Sequence, residues 1–500
     1  MKLSRYTLKN ISSDNVVVPD ESIFELPERV LQFGTGRLLR GLPDYFIDKA
    51  NRMGMFNGRI VMVKTTSHGD ITVFDKQDGL YTLCERGIVD GEKREENIII
   101  SSVSRVLFAQ NDWSAILECA HNPDMKIIIS NTTEIGIQLV DDDIHHCPPV
   151  SYPGKILAFL YERFTAFNGD EEMGLVIVPT ELIPDNAKRL ESIVLELAHL
   201  NSLDDDFIEW LEKCNYFCNS LVDRIVTGMP DEEVRVKIEN ELGYKDELLV
   251  VSEVYRLWAI EGNEKIKSIL SFARADKSVV IEADIDLYRE LKLRLLNGTH
   301  TLTCGVAFLA GYGTVLSAME DKLSSSFITD LMKDEIAPSI SYEIDNEVKE
   351  QFILKVLDRF RNPYINHYWK NITLNYTSKM QTRCVPLLIN YYKIYGRVPE
   401  LFGLGFASYV YFMKAVKQND KSFFGELDGE PYLIEDMMAE EFFTIWKNDS
   451  IDEIVKNILQ STTLWDDDLS HLPGFQKSVA KDLKSIIKYG MMVTLKNAFK

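Results

Sequence analysis

The chain has no run of roughly 20 apolar residues, the length a helix needs to cross a bilayer. Its opening residues, Met-Lys-Leu-Ser-Arg-Tyr-Thr-Leu-Lys-Asn, also lack the apolar centre of a secretory leader. No membrane association is expected. Basic charge is in short supply: 55 Lys and Arg stand against 77 Asp and Glu, a formal net charge of −22. Phosphate backbones are bound through a basic footprint, so no nucleic acid partner is expected, and an anionic small substrate would need a locally basic pocket. Cysteine is sparse, with seven scattered residues. That odd set gives no disulfide framework and suits a reducing cytoplasm. Missing too are a strand-linked GxSxG elbow, a Walker A loop and an HExxH helix, which argues against serine hydrolase, NTPase and zinc protease chemistry. His145-His146-Cys147 follows three aspartates, but adjacent ligands rarely point at one ion, so no metal is expected.

What is present is enough apolar material for two or three domains, 45% of 500 residues. A short apolar strand over residues 29–33 runs directly into Gly34-Thr35-Gly36, and an amphipathic helix is predicted over 38–53. Strands are predicted at 60–63, 97–100, 105–108, 126–130 and 173–178, interleaved with helices at 112–121 and 151–167. Such alternation implies a parallel sheet, with ligand sites beyond the strand C-termini. A last strand is predicted at 279–281. Beyond about residue 286 the β pattern fades, leaving helices at 304–319, 341–360, 382–395 and 406–417. The expected fold is therefore α/β: a Rossmann-like N-terminal domain over 1–283 and a mainly α-helical domain over 284–500.

Phe33, Gly34, Thr35 and Gly36 form the strand, turn and helix entry on which a dinucleotide pyrophosphate would rest. The fingerprint is incomplete. Its third glycine would fall at position 39, which is Leu39, and the next glycine is Gly41. No acid directly follows the second strand, where Lys64-Thr65-Thr66-Ser67-His68-Gly69-Asp70 stands. The residues alone therefore do not choose between NAD and NADP.

Lys292, Asn297 and His300 lie within nine residues, in Lys-Leu-Arg-Leu-Leu-Asn-Gly-Thr-His. A partly desolvated lysine can give a proton to a carbonyl oxygen as hydride arrives, or take it back in reverse. An amide can stabilise the developing oxyanion, and a neutral imidazole can orient the same hydroxyl. Two geometries fit. On a continuous α-helix Asn297 lies about 140° and His300 about 80° around from Lys292; alternatively Asn297-Gly298 ends one helix and His300 begins the next.

Five motifs occur in one order: Phe33 to Gly36, Gln77-Asp-Gly-Leu-Tyr-Thr82, Ser130-Asn-Thr-Thr-Glu134, Phe217 to Arg224, and Lys292 to His300. In this the chain resembles the mannitol dehydrogenase family of long-chain polyol-specific dehydrogenases, over roughly residues 25 to 495. Pro179-Thr-Glu-Leu-Ile183 and Phe360-Arg-Asn-Pro-Tyr-Ile365 make it similar to the branch acting on hexuronates. The resemblance implies metal-independent, NAD-dependent interconversion of D-tagaturonate and D-altronate in hexuronate catabolism, a hexuronate or aldonate being the small-molecule partner. It implies Lys292 as general acid/base, Asn297 as oxyanion amide and His300 as orienting imidazole, with Asn131 and Thr132 beside the cofactor. Substrate contacts are implied for Arg359, Arg361, His367 and Lys379, and for Asp223 and Arg224, which a buried structural ion pair explains equally well; Arg383 is a further candidate for the carboxylate. One departure stands out: the wider family's second oxyanion asparagine is replaced by Leu182 after Glu181, and Asn186 is the candidate substitute. Fructuronate reduction, neutral polyol oxidation, and a hexuronate isomerase or epimerase without net redox change are the competing readings. Oligomeric state is left open.

Overall fold

The computed structural model describes residues 1–12, 14–66, 70–448 and 450–499. The chain divides into two compact units, Met1–Gly87 with Lys93–Ile285, and Ile88–Glu92 with Asp286–Lys500.

In the first unit six strands form one sheet. From edge to edge they are Val103–Phe108, Arg59–Lys64, Glu28–Phe33, Ile127–Ser130, Val176–Pro179 and Tyr216–Phe217. Every neighbouring pair is parallel. Numbered by their place in the chain, they run 3-2-1-4-5-6, the doubly wound order that reverses beside the first strand. The sequence reason is the run of branched residues such as Ile60-Val61-Met62-Val63 and Ile127-Ile128-Ile129, buried throughout. Successive side chains enter opposite faces. Ile60 and Met62 join one hydrophobic core while Val61 and Val63 join another.

The helix predicted over 38–53 is in fact two, Arg37–Gly41 and Pro43–Arg52, separated by Leu42 at φ −132° and ψ −78°. Pro43 has no N–H for the helical ladder, so the chain restarts with proline in the first turn. Two smaller sheets in this unit take in the strands predicted at 97–100 and 279–281 together with others that the pattern missed. One has four strands, Val226–Gly228, Val250–Glu253, Tyr81–Val89 and Glu92–Ile100; the other has three, Val279–Glu282, Leu257–Glu261 and Ser220–Asp223.

The second unit is helical around a single large core. The stretch predicted as one helix over 304–319 ends at Leu309, and a new helix, Val315–Glu320, begins after Gly311 and Gly313. The helix predicted from 341 begins only at Asn346, where Asp345 accepts from the N–H groups of Glu347 and Val348. The helix predicted over 406–417 is Glu400–Phe412. It crosses Thr299–Leu309 closely: a Cβ on Gly405 would lie 2.8 Å from Leu302 O, and one on Gly305 would lie 2.9 Å from Ser408 Oγ. The expectation that strands end near residue 281 is also corrected. Lys417–Asn419, Ser422–Leu427 and Glu430–Ile434 form an antiparallel sheet, with Asp428 and Gly429 at positive φ in the tight turn, a pair well suited to hairpins.

Three segments of this unit are π-helical: Leu291–Gly298, Leu331–Ile336 and Met380–Cys384. Such wide turns are rare and recur at functional sites. The middle one carries Glu335, whose carboxylate accepts from Phe402 N–H at 2.6 Å and Leu401 N–H at 3.0 Å, capping Glu400–Phe412 from outside. Burial pushes the Glu335 pKa up to about 7, against the pull of those two bonds. The folded chain therefore holds a proton that the unfolded chain releases. That contribution is full below the ordinary value of 4.5 and is lost as pH rises toward about 7. Glu335→Gln should flatten the fall in thermal midpoint across this window relative to the parent, and an unchanged slope would show that the carboxyl titrates normally.

Candidate functional site

In the first unit the strand order reverses between Glu28–Phe33 and Ile127–Ser130, where doubly wound sheets open a crevice for ligands. Gly34 sits there at φ +129°, a conformation that side chains rarely adopt, and a Cβ would lie 2.8 Å from Leu39 Cδ1 and 3.3 Å from Asn131 O. Gly34 N–H donates to Val63 O at 2.9 Å, and Asn131 N–H to Phe33 O at 3.1 Å. The turn is thus tied to both neighbouring strands. Gly36 is exposed, with open space where a Cβ would stand, so a ligand can approach the backbone. The missing third glycine is explained by the early helix break. At Gly41 a Cβ would lie 2.8 Å from both Val226 methyls, so the close-packing role of that glycine falls two residues later. Leu39 meanwhile is fully buried.

The opposite wall is fixed by Thr180 and Glu181, which sequence reasoning did not place among the site residues. Asn131 Nδ2 donates to Thr180 O at 3.1 Å and Thr180 Oγ1 at 3.0 Å. Glu181 accepts from Thr132 N–H at 2.7 Å, Thr132 Oγ1 at 3.0 Å and Ser130 Oγ at 3.2 Å. Their signal was a polar Thr-Glu pair ending an apolar strand. Asp70, beyond the second strand, is spent capping Thr72. His68 lies outside the described residues.

Two expected substrate groups are instead internal fasteners. Asn186 is 1% exposed. Its Nδ2 donates to Pro179 O, Glu181 O and Ser220 O, and its Oδ1 accepts from Ala187 N–H and Ser220 N–H. With every polar position used, it has no donor left to replace the amide missing at Leu182, whose own side chain is exposed. Arg224 is equally committed. Its guanidinium donates to Gly41 O, Glu253 O and Glu85 in the protein interior. Asp223 is buried at the end of its strand.

In the second unit Lys292, Asn297 and His300 lie on one unbroken helical path, Leu291–Gly298 followed by Thr299–Leu309. This favours the continuous geometry but changes its pitch. With hydrogen bonds spanning five residues, Asn297 turns to roughly 50° from Lys292 rather than roughly 140°. Lys292 and Asn297 are half-buried. The Asn297 carbonyl accepts from Thr301 Oγ1 at 2.7 Å, while its side-chain amide makes no hydrogen bond among the described residues.

His300 is buried, stacked on Phe360 with centroids 4.3 Å apart and planes 13° apart, and edge-on to His367 at 4.9 Å. Its Nε2 has no partner among the described residues. Burial first, then His367, Arg359, Arg383 and Lys379, hold its pKa well below 6.5. The ring is neutral at physiological pH. His367 is likewise depressed, to about 4, by burial and then Arg359. The structure thus brings Arg359, His367 and Lys379 from the expected set together around His300. Arg361 caps the end of Asn346–Phe360 and is not among the groups acting on that ring.

Arg294, which the sequence reading did not single out, ties this segment to another. Its Nε donates to Glu290 at 3.0 Å, and its Nη1 donates to Thr382 O and Arg383 O, both at 2.9 Å. One guanidinium therefore joins two wide turns.

Family models match both parts of the chain: the mannitol dehydrogenase Rossmann domain over residues 28–271 and the mannitol dehydrogenase C-terminal domain over 284–487. An altronate oxidoreductase of Bacillus subtilis (strain 168) is 39% identical over 474 residues, covering 94% of this chain and 95% of that protein. One from Halalkalibacterium halodurans is 36% identical over 476 residues, covering 93% and 92%. Among solved structures, a D-sorbitol dehydrogenase in substrate-free form aligns with TM-score 0.81 at 20% identity, covering 99% of this chain and 100% of that one. A mannitol 2-dehydrogenase of Pseudomonas fluorescens, in a ternary complex with NAD and D-mannitol, aligns with TM-score 0.69 at 23% identity, covering 100% and 99%. These two likenesses bear on the fold.

Asn186→Ala should cost about 2–4 kcal/mol in denaturant unfolding by stranding several buried groups, while folded protein keeps its turnover number. A selective loss of turnover at unchanged stability would instead return Asn186 to the reacting centre.

Proposed function

The chain belongs to the mannitol dehydrogenase family and is an oxidoreductase; from that premise we propose that it interconverts D-tagaturonate and D-altronate with NAD(H), reducing the ketone during hexuronate breakdown. The observation that carries the reading is that Lys292, Asn297 and a neutral His300 share one continuous helical path, wide-turned as far as Gly298. The altronate oxidoreductases similar to it over more than nine-tenths of its length support the substrate.

Phe33, Gly34, Thr35, Gly36, Asn131 and Thr132 suit a dinucleotide. The turn exposes its backbone at the point of strand reversal, with Gly34 tied to Val63 and Asn131 tied to Phe33. When bound, the nicotinamide nucleotide supplies or accepts the hydride. The chain's own residues handle the proton. Protonated Lys292 gives its proton to the substrate carbonyl oxygen, and in oxidation the neutral amine removes it from the hydroxyl. The uncommitted Asn297 amide donates to the developing oxyanion. His300 stays neutral, so its buried Nε2 orients the hydroxyl without competing for the proton. Arg359, Lys379 and Arg383 give an acidic protein a locally positive site for an anionic substrate.

Lys292→Ala should lower the turnover of NADH with tagaturonate by about a thousandfold or more, with NADH affinity changed only about threefold. Near-normal turnover in that variant rejects the assignment. Assays of the parent with tagaturonate, fructuronate and fructose test the substrate: preference for fructose rejects the uronate reading, and sugar conversion without NADH consumption points to isomerisation.

A further inference from the structure

Arg383 is held partly out of water without an acidic partner. It lies in the wide turn Met380–Cys384 and is half-buried. Its one side-chain hydrogen bond among the described residues is a long contact to Thr301 Oγ1, 3.4 Å away. Thr301 follows His300 on the same helix, and the guanidinium is one of the cations that act on the His300 ring. Burial lowers the Arg383 pKa, and the groups that counter it are the thiols of Cys384 and Cys304, with no carboxylate among them. A desolvated guanidinium is among the costliest side chains to bury unless it is paired.

The neighbouring cations are otherwise engaged. Arg294 is spent on Glu290 and two carbonyls. Arg289 pairs with Asp286, and Arg359 has a partner of its own within the chain. Lys379, four residues before Arg383, donates to Ile372 O at 2.9 Å. The acid that acts on it, Asp436, is occupied by the N–H groups of Thr377 and Met438. At this spacing Lys379 and Arg383 project from one side of their helix, and both act on His300.

We infer that Arg383 is the carboxylate anchor, its paired N–H groups taking the charged end of a ketose acid in a bidentate bond while Lys379 adds a second positive charge. This rests on the uronate reading above. It assigns specificity to one position: Lys292, Asn297 and His300 act on the carbonyl that any ketose has, whereas Arg383 meets the group that distinguishes a ketose acid from a neutral sugar.

The test compares tagaturonate with its methyl ester, which removes the charge alone, in the parent, Arg383→Gln and Arg383→Lys at saturating NADH. The parent should favour the acid over the ester by about a hundredfold in kcat/KM. Arg383→Gln should lose about that factor on the acid, mostly in KM, treat acid and ester alike, and retain NADH affinity and thermal midpoint. Arg383→Lys should recover part of the preference, since it keeps the charge without the fork. Loss on acid and ester equally, or no loss on the acid, overturns the anchor. A parent with no turnover of tagaturonate overturns the uronate reading, and the anchor with it, a result distinct from either variant outcome.

Discussion

The helical turns from Leu291 to Gly298 are wound wider than an α-helix, and the proposed proton chemistry depends on that pitch. At ordinary pitch Lys292 and Asn297 would lie about 140° apart across one broad face, and the wide pitch narrows that angle to about 50°. Widening each turn brings them toward one line, and the path then tightens into Thr299–Leu309 just as it delivers His300. Wide turns give up good backbone geometry, so they persist where surrounding structure holds them. Here the holding is visible. Arg294 reaches from inside the first wide turn to two carbonyls of the wide turn bearing Arg383. A Cβ built on Gly298 would stand at ordinary contact distance from Leu387, and Gly405 lets the helix Glu400–Phe412 press onto Leu302.

Electrostatics then selects which group carries the proton. A net charge of −22 would repel an anionic substrate, yet the side chains around His300 are cationic or neutral. That positive field, added to burial, keeps the imidazole from charging. On the proposed reading a neutral ring cannot serve as the acid, which leaves that role to Lys292. The first unit is built differently: its turn relies on backbone geometry at Gly34 and on uncharged hydrogen bonds between Asn131 and Thr180. Its conspicuous buried ions, Arg224 with Glu85 and Arg256 with Asp276, are fasteners of the fold.

Much of this was legible in the sequence because it rests on local pattern. Apolar runs gave the parallel strands, and the Gly34-Thr35-Gly36 turn gave the point of strand reversal. The nine-residue segment from Lys292 gave the candidate proton-handling set. What was hidden depends on contacts distant in the chain or on pitch. Asn186 reads as a candidate oxyanion amide until Pro179 and Ser220 fold around it. Arg224 reads as a ligand group until Gly41 and Glu253 surround it. Leu39 looks like a flaw in the glycine fingerprint until the break before Pro43 moves the close contact to Gly41. A wide turn has no simple residue signature, so the periodicity used to place Asn297 was the wrong one.

The central claim is that Lys292 owns the ionisation governing carbonyl reduction while His300 stays neutral. The most direct measurement replaces the lysine by a less basic amine of nearly equal shape. Lys292→Cys in a background without the exposed Cys147, alkylated to aminoethylcysteine, is compared with the parent for the pH dependence of single-turnover NADH oxidation. The account predicts that the limb of the profile moves to lower pH by the difference between the two amines. A limb that stays in place while the rate recovers would contradict it and assign the ionisation to another group.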